Sequence, residues 1–232
     1  MRRSLATSSI IVTLGIGLLS AGDVAQAASL SSSVNYRDDF TSNSALTSTN
    51  SPVSVGNGLS DFVRASASTD FVTGNHALAE ANYDGRARAE ANSEWMDQWT
   101  GISLLGRTGT FIATIQFHLG GTLSVYGAPG YANFDYALDI DPDGTTASGS
   151  QGWGDILYLD GSDSGQRTQT INQTVSFDIL FVPGETFDVR SSLTVLTNTY
   201  LSAFVPNAKS DFSSTAVITN VILPEDFTLS TA

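Results

Sequence analysis

The most defined spacing for chemistry lies in Asp139-Ile140-Asp141-Pro142-Asp143-Gly144. D-x-D-x-D-G opens the calcium loops in which hard carboxylates at alternate positions converge on one cation and Gly permits the sharp turn. The twelfth position, where a bidentate Glu closes such a loop, is Ser150. Asp-Pro-Asp-Gly is also ordinary turn composition, because Pro fixes φ and Gly accepts a positive φ. Two expectations follow. Either Asp139, Asp141 and Asp143 hold calcium, with Asp155, Asp160 and Asp163 near enough in sequence to complete a shell, or the segment is a plain turn and the protein carries no cofactor.

Aromatic rings offer a second chemistry. A flat amphipathic ring covers the apolar face of a pyranose while its edge stays polar. Trp95 and Trp99 are the candidate carbohydrate-binding residues on this ground, with Trp153, Tyr126, Tyr131 and Tyr158 as further rings of the same kind. A core role competes with it, since tryptophan is highly buried on average. Glu80, Glu90 and Glu94 near those rings invite a two-carboxylate glycosidase, but there is no compact pair such as Glu-x-Asp-x-Glu, and scattered glutamates are ordinarily the solvated face of a strand. His76 and His118 form no metal-spaced cluster, and Ser164 lacks the Gly-x-Ser-x-Gly elbow of a serine nucleophile. No catalytic set converges, and the expectation is a protein that is not an enzyme.

These residues are positioned by strands. Ala77, Ala79, Ala81 and Tyr83 share one parity, Asp84-Gly85 intervenes, and Ala87, Ala89 and Ala91 resume the alternation against Arg86, Arg88 and Glu90. Strict period two favours strands over the rival helix that Ala, Glu and Arg individually suit, and Asp-Gly between two alternating runs predicts a hairpin. The alanine column predicts close approach of a second layer. Phe111, Ala113, Ile115, Phe117 and Leu119 form another apolar face, as do Val175 to Phe181 and Phe187 to Val195 on either side of Pro183-Gly184, so residues 169–199 read as a long hairpin. Phe134 to Ile140 and Ile156 to Leu159 flank a Gly/Asp/Ser-rich loop, and Ser213 to Leu223 reads as a last strand. With no segment suited to a crossover helix, the expected fold is all-β: an antiparallel two-sheet sandwich, jelly-roll-like, apolar inside and Ser/Thr-rich outside.

The first residues set the compartment. Arg2-Arg3, the apolar run Ile10 to Leu19 and Ala25-Gln26-Ala27 make a signal peptide over residues 1–27, with cleavage before Ala28. The run is shorter than the roughly 20 residues a membrane span needs, so no stable membrane insertion of the mature chain is expected. Residues 28–57 read as an irregular Ser/Thr-rich arm with one edge strand over Ser51 to Val55, and 58–232 as a single β-sandwich domain. Cleavage leaves 205 of 232 residues; 10 basic residues become 8, 23 acidic become 22, and the net charge moves from −13 to −14. Such a field disfavours nucleic acid and anionic surfaces, leaving cations and neutral polymers such as polysaccharides. There is no cysteine, which removes disulfides, thiol nucleophiles and thiolate metal sites together.

Three stretches resemble the exported bacterial proteins grouped by the PEP-CTERM sorting signal. They are the alanine-alternating segment running into Trp95-Met96-Asp97-Gln98-Trp99-Thr100-Gly101, the segment Gly109-Thr110-Phe111 through His118-Leu119-Gly120-Gly121-Thr122-Leu123, and Lys209-Ser210-Asp211-Phe212-Ser213-Ser214-Thr215-Ala216 continued to Leu223-Pro224. Members of that group continue into Pro-Glu-Pro, an apolar span and a basic tail; Pro224-Glu225-Asp226 is followed by neither up to Ala232, which leaves sorting by that route open. The resemblance implies a β-sandwich ectodomain, secreted or at the cell surface, whose partners are extracellular polysaccharide or other surface proteins, and it implies no enzymatic activity.

Overall fold

A computed structural model describes residues 11–12, 29–37, 42–47, 53–56, 62–70, 74–82, 86–127, 129–142, 149–159, 165–200 and 207–231. Among them the strands are β1 (Ile11–Val12), β2 (Ser29–Arg37), β3 (Ser42–Thr47), β4 (Val53–Gly56), β5 (Phe62–Asp70), β6 (Gly74–Asn82) and β7 (Ala87–Ser103). They continue as β8 (Phe111–Tyr126), β9 (Gly130–Pro142), β10 (Gly149–Leu159), β11 (Gln166–Phe181), β12 (Thr186–Thr199), β13 (Asn207–Ile222) and β14 (Phe227–Thr231). All pairings are antiparallel. One sheet runs β11-β8-β13-β6-β5-β4, with β1 added to β13; the other runs β10-β9-β12-β7-β2-β3, with β14 added to β7.

The eight strands from β6 to β13 form four nested pairs, β9 with β10, β8 with β11, β7 with β12 and β6 with β13. Successive pairs alternate between sheets, giving the orders β6-β13-β8-β11 and β7-β12-β9-β10. That winding is a jelly roll, so the all-β sandwich expected from the alternation is the fold observed.

Two local expectations are corrected. β6 and β7 do not form a hairpin: β6 pairs with β5 and β13, and β7 with β2 and β12, in opposite sheets. Asp84-Gly85 itself lies outside the described residues. Nor are β11 and β12 a hairpin, because the chain arches between sheets at Pro183-Gly184, where Gly184 has φ 86° and Glu185 N donates to Val182 O at 3.1 Å. Alternation specifies which face of a strand is apolar, but a hairpin and an arch over one core need the same alternation. The segment read as an irregular arm carries β2, β3 and β4, which extend both sheets. Of the signal-peptide segment only Ile11–Val12 is described, paired with Ile222 and Val221.

Side-chain size makes the core uneven. Ala77, Ala79 and Ala81 of β6 and Ala87, Ala89 and Ala91 of β7 are all buried. Here Cα atoms of β6 come within 8 Å of those of β12 in the facing sheet, nearer than the roughly 10 Å of ordinary sheet packing. Toward β8, β9 and β10 the core is aromatic: Phe117 meets Tyr136 at 4.9 Å and Trp153 at 4.4 Å, and Phe134 meets Phe212 at 4.5 Å between ring centroids. Full burial of such a ring stabilises by about 1.5–3 kcal/mol. One polar chain crosses this core. Thr69 Oγ1 donates to Asn75 Oδ1 (2.8 Å), Asn75 Nδ2 donates to Ser191 Oγ (2.8 Å), and the Tyr136 hydroxyl shares a bond with Ser191 Oγ (2.9 Å). Burial pushes the Tyr136 phenol well above its ordinary range, so it stays protonated.

Candidate carbohydrate-binding face

The parity that buries the alanines of β7 also buries its tryptophans. Trp95 and Trp99 share the inward face with Ala87, Ala89 and Ala91, and each is 5% exposed. Trp99 meets the ring of Phe187 edge-on, and its Nε1 donates to Asp97 Oδ2 at 2.9 Å. Neither ring presents an open stacking face, because both are spent on the core. Trp153 is half-buried against Phe117 and Phe177. Burial raises the Asp97 carboxyl above its ordinary value, with hydrogen bonds from Trp99 and the Gln98 N–H acting in opposition.

The glutamates are also apart. Glu80 lies on the outer face of the β6 sheet against Arg64, with Arg64 Nε donating to its Oε2 at 2.8 Å. Glu90 and Glu94 lie on the outer face of the β7 sheet, paired with Arg88 at 2.8 Å and Arg190 at 2.6 Å. Four residues along one strand separate those two by roughly 14 Å, beyond the roughly 5–9.5 Å of glycosidase carboxylate pairs. Asp139 and Asp141 fall within extended β9, opposite Arg190 and Asp188 of β12. The Glu94 carboxylate raises the Arg190 pKa most, and that of Asp139 adds to it. Asp143, Asp160, Asp163 and Ser164 lie outside the described residues. Among the described residues no group of three or more His, Asp or Glu is placed to hold a metal ion. His76 and His118 are half-buried on the outer face of the first sheet, on separate strands.

The tyrosines are arranged differently. Tyr131 of β9 stands outward between buried Gly130 and Ala132, and Tyr158 of β10 stands outward beside buried Leu159. They are direct cross-strand partners. Opposed residues of an antiparallel pair have Cβ atoms about 4.5–5.5 Å apart, so the two tyrosines leave the sheet next to one another and mark out a platform at the end of the outer face. Tyr158 is 50% exposed and its neighbour Ile156 57% exposed. Asn198 of β12 flanks Tyr131 and donates from Nδ2 to the Tyr200 hydroxyl at 3.3 Å.

Beyond the platform the face drops. The outward positions of β10 are Gly154 and Gly152, opposite Asp135 and Ala137 of β9. A Cβ on Gly154 would come 3.0 Å from Phe134 O, so the lane has no side chain there for lack of room. Asn92 and Thr194 border it, hydrogen bonded at 3.4 Å. Asn133 Oδ1, two residues from Tyr131, is buried with no partner among the described residues, a cost that a donor reaching it would relieve. Aromatic rings, a low lane and hydroxyl, amide and carboxylate groups thus share one sheet face. The sequence carried the signal for the platform: Tyr131 has the parity opposite to Phe134, Tyr136 and Leu138, and Tyr158 the parity opposite to Leu157 and Leu159.

No protein-family model and no curated protein matches the chain. Among solved structures, the enzymatically active domain of tailspike protein 4 from bacteriophage CBA120 aligns at 13% identity and TM-score 0.21 over 78% of this chain, which spans only 20% of that one. A carbohydrate-binding module, TmCBM61 in complex with β-1,4-galactotriose, aligns at 10% identity and TM-score 0.17 over 78% of this chain and 88% of that one. The family 11 carbohydrate-binding module of Clostridium thermocellum, in complex with a β-1,3-1,4-mixed-linked tetrasaccharide, aligns at 11% identity and TM-score 0.17 over 74% and 98%. Superpositions this loose assign neither fold nor ligand; the jelly roll rests on the strand pairing.

Proposed function

We propose that this is an exported, non-enzymatic surface or matrix protein that binds neutral polysaccharide on the outer face of the β7 sheet. The observation that carries the reading is the Tyr131–Tyr158 pair, two outward-facing tyrosines set opposite each other by the β9–β10 register. Rings fixed on strands give stacking area at small entropic cost, and Asn198, Asp135 and Thr194 supply the directional bonds a hydroxyl-rich ligand needs. The net charge of −13 favours a neutral chain over an acidic one. Export rests on the leader pattern of residues 1–27, and the non-enzymatic role on the absence of a convergent catalytic set in the sequence.

A glycan array with wild type and Tyr131→Ala/Tyr158→Ala, run beside a reducing-end assay, tests both halves. Binding to neutral glycans weakened about tenfold or more in the variant, a loss of roughly 1.4 kcal/mol or greater, with no new reducing ends, is the expected result. Hydrolysis by wild type that is lost in Glu90→Gln or Glu94→Gln would instead make the protein a glycosidase.

A further inference from the structure

The opposite outer face carries a second depression. On β8 the outward residues descend from Tyr126 through Ser124 and Thr122 to Gly120, opposite Gln166, Thr168, Thr170 and Asn172 of β11. At Gly120 the row has no side chain. On the other flank β13 is bulged: Asp211 pairs with Thr122 and Thr215 with Gly120, so residues 212 to 214 of β13 stand against Gly121 alone. Phe212 shares the inward parity of Ala208 and Ser210 and lies beneath Gly121, where a Cβ would lie 2.6 Å from ring atom Cε1. Gly121 makes room for the ring below, and Gly120 leaves the surface open above. The result is a notch of about 380 Å³ lined by Gly120, Thr122, Thr170, Asn172 and Asp211.

Its chemistry is neutral and hydrogen-bonding. Thr170 and Asn172 are exposed and make no side-chain hydrogen bond among the described residues, whereas further along the same face Thr114 is bonded to Asp178 at 2.6 Å and Gln116 to Ser176 at 3.2 Å. Asp211 is paired with Lys209 at 2.7 Å, so the notch presents no uncompensated charge. A calcium ion takes six to eight oxygens and several carboxylates, and this notch has one carboxylate already paired. An anion finds no free cation in it. Two hydroxyls, an amide and a carboxylate around an open recess suit vicinal hydroxyl groups, each able to donate and accept.

We infer that the Gly120–Asn172 notch is a second glycan site, independent of the tyrosine platform and on the opposite face of the sandwich. With both sites occupied, one copy holds two polysaccharide chains and cross-links them; that consequence rests on the platform reading, while the notch does not. The test is calorimetric titration with cellohexaose, xylohexaose and mannohexaose, together with turbidity of the matching soluble polymers. Wild type is expected to bind two equivalents of at least one of these sugars and to cloud its polymer. Thr170→Ala/Asn172→Ala changes two exposed edge-strand residues, and circular dichroism verifies its fold; it should bind one equivalent and leave the polymer clear. Tyr131→Ala/Tyr158→Ala should also bind one equivalent, now at the notch. Unchanged stoichiometry and clouding in Thr170→Ala/Asn172→Ala would overturn the notch, as would binding of none of the three sugars by wild type. Two equivalents retained by the tyrosine variant would remove the platform and the cross-linking, and the notch would then stand or fall by its own variant.

Discussion

Replacing Asn75 by Ala cuts the polar chain between the sheets at its middle. Two hydrogen bonds disappear, each worth about 1 kcal/mol net, and Thr69 keeps a buried donor with no acceptor, adding roughly 1–3 kcal/mol. Thr69 is 2% exposed, so water does not replace the lost partner. Ser191 still has the Tyr136 hydroxyl. The expected loss is therefore about 3–5 kcal/mol, a large share of an ordinary domain's stability. Thr69→Val removes the orphaned hydroxyl without altering shape greatly. The double variant Thr69→Val/Asn75→Ala should accordingly cost about 1–2 kcal/mol less than the two single costs added together. Urea unfolding at neutral pH measures all four corners of this cycle, provided the slope with denaturant is common to them. Costs that add to within about 0.5 kcal/mol would refute the coupling and with it the network as a cooperative unit.

Gly121→Val should destabilise the fold by about 1–3 kcal/mol through overpacking against Phe212, and Phe212→Leu in the same chain should restore part of that loss in thermal melts. The raised Asp97 carboxyl contributes stability that is fully present below the ordinary carboxylate range and lost as pH rises through its elevated folded value. Unfolding curves from acid to neutral pH should thus show wild type losing ground to Asp97→Asn as pH rises; an unchanging difference would contradict the burial assigned to Asp97. For Asp139, Asp141 and Asp143, melting in chelator, millimolar calcium and millimolar magnesium should differ only by screening common to both ions, because Asp139 and Asp141 lie in extended strand with Asp139 facing Arg190. A rise specific to calcium and abolished by Asp141→Asn would make the segment a calcium site.

Period-two alternation was enough to read the strands and their buried faces, as Phe111 through Leu119 illustrates: Ala113, Ile115, Phe117 and Leu119 are all buried and the intervening residues are not. Strand partners were not legible. Ala77 to Ala81 and Ala87 to Ala91 alternate identically whether they pair side by side or face one another across a core, and Asp-Gly suits a short connection in either case. The alanines did report the close layer. The candidate tryptophans lie on the buried parity: Trp95 and Trp99 fall in register with the alanine column. Tyr131 and Tyr158 had outward parity, yet their adjacency depends on the β9–β10 register, which no local pattern encodes. Which ring lies beneath Gly121 depends on the β8–β13 pairing, a long-range feature that no local pattern encodes.

The central claim is that glycan binds where Tyr131 and Tyr158 stand together. Affinity electrophoresis in gels containing neutral glucan, xylan or mannan compares wild type directly with Tyr131→Ala/Tyr158→Ala and with Trp95→Phe as a core control. Wild type and Trp95→Phe should be retarded by at least one polymer, while the tyrosine variant should run markedly ahead of them in the same gel. Equal retardation of wild type and the tyrosine variant, or no retardation of wild type by any of the three polymers, would contradict the account.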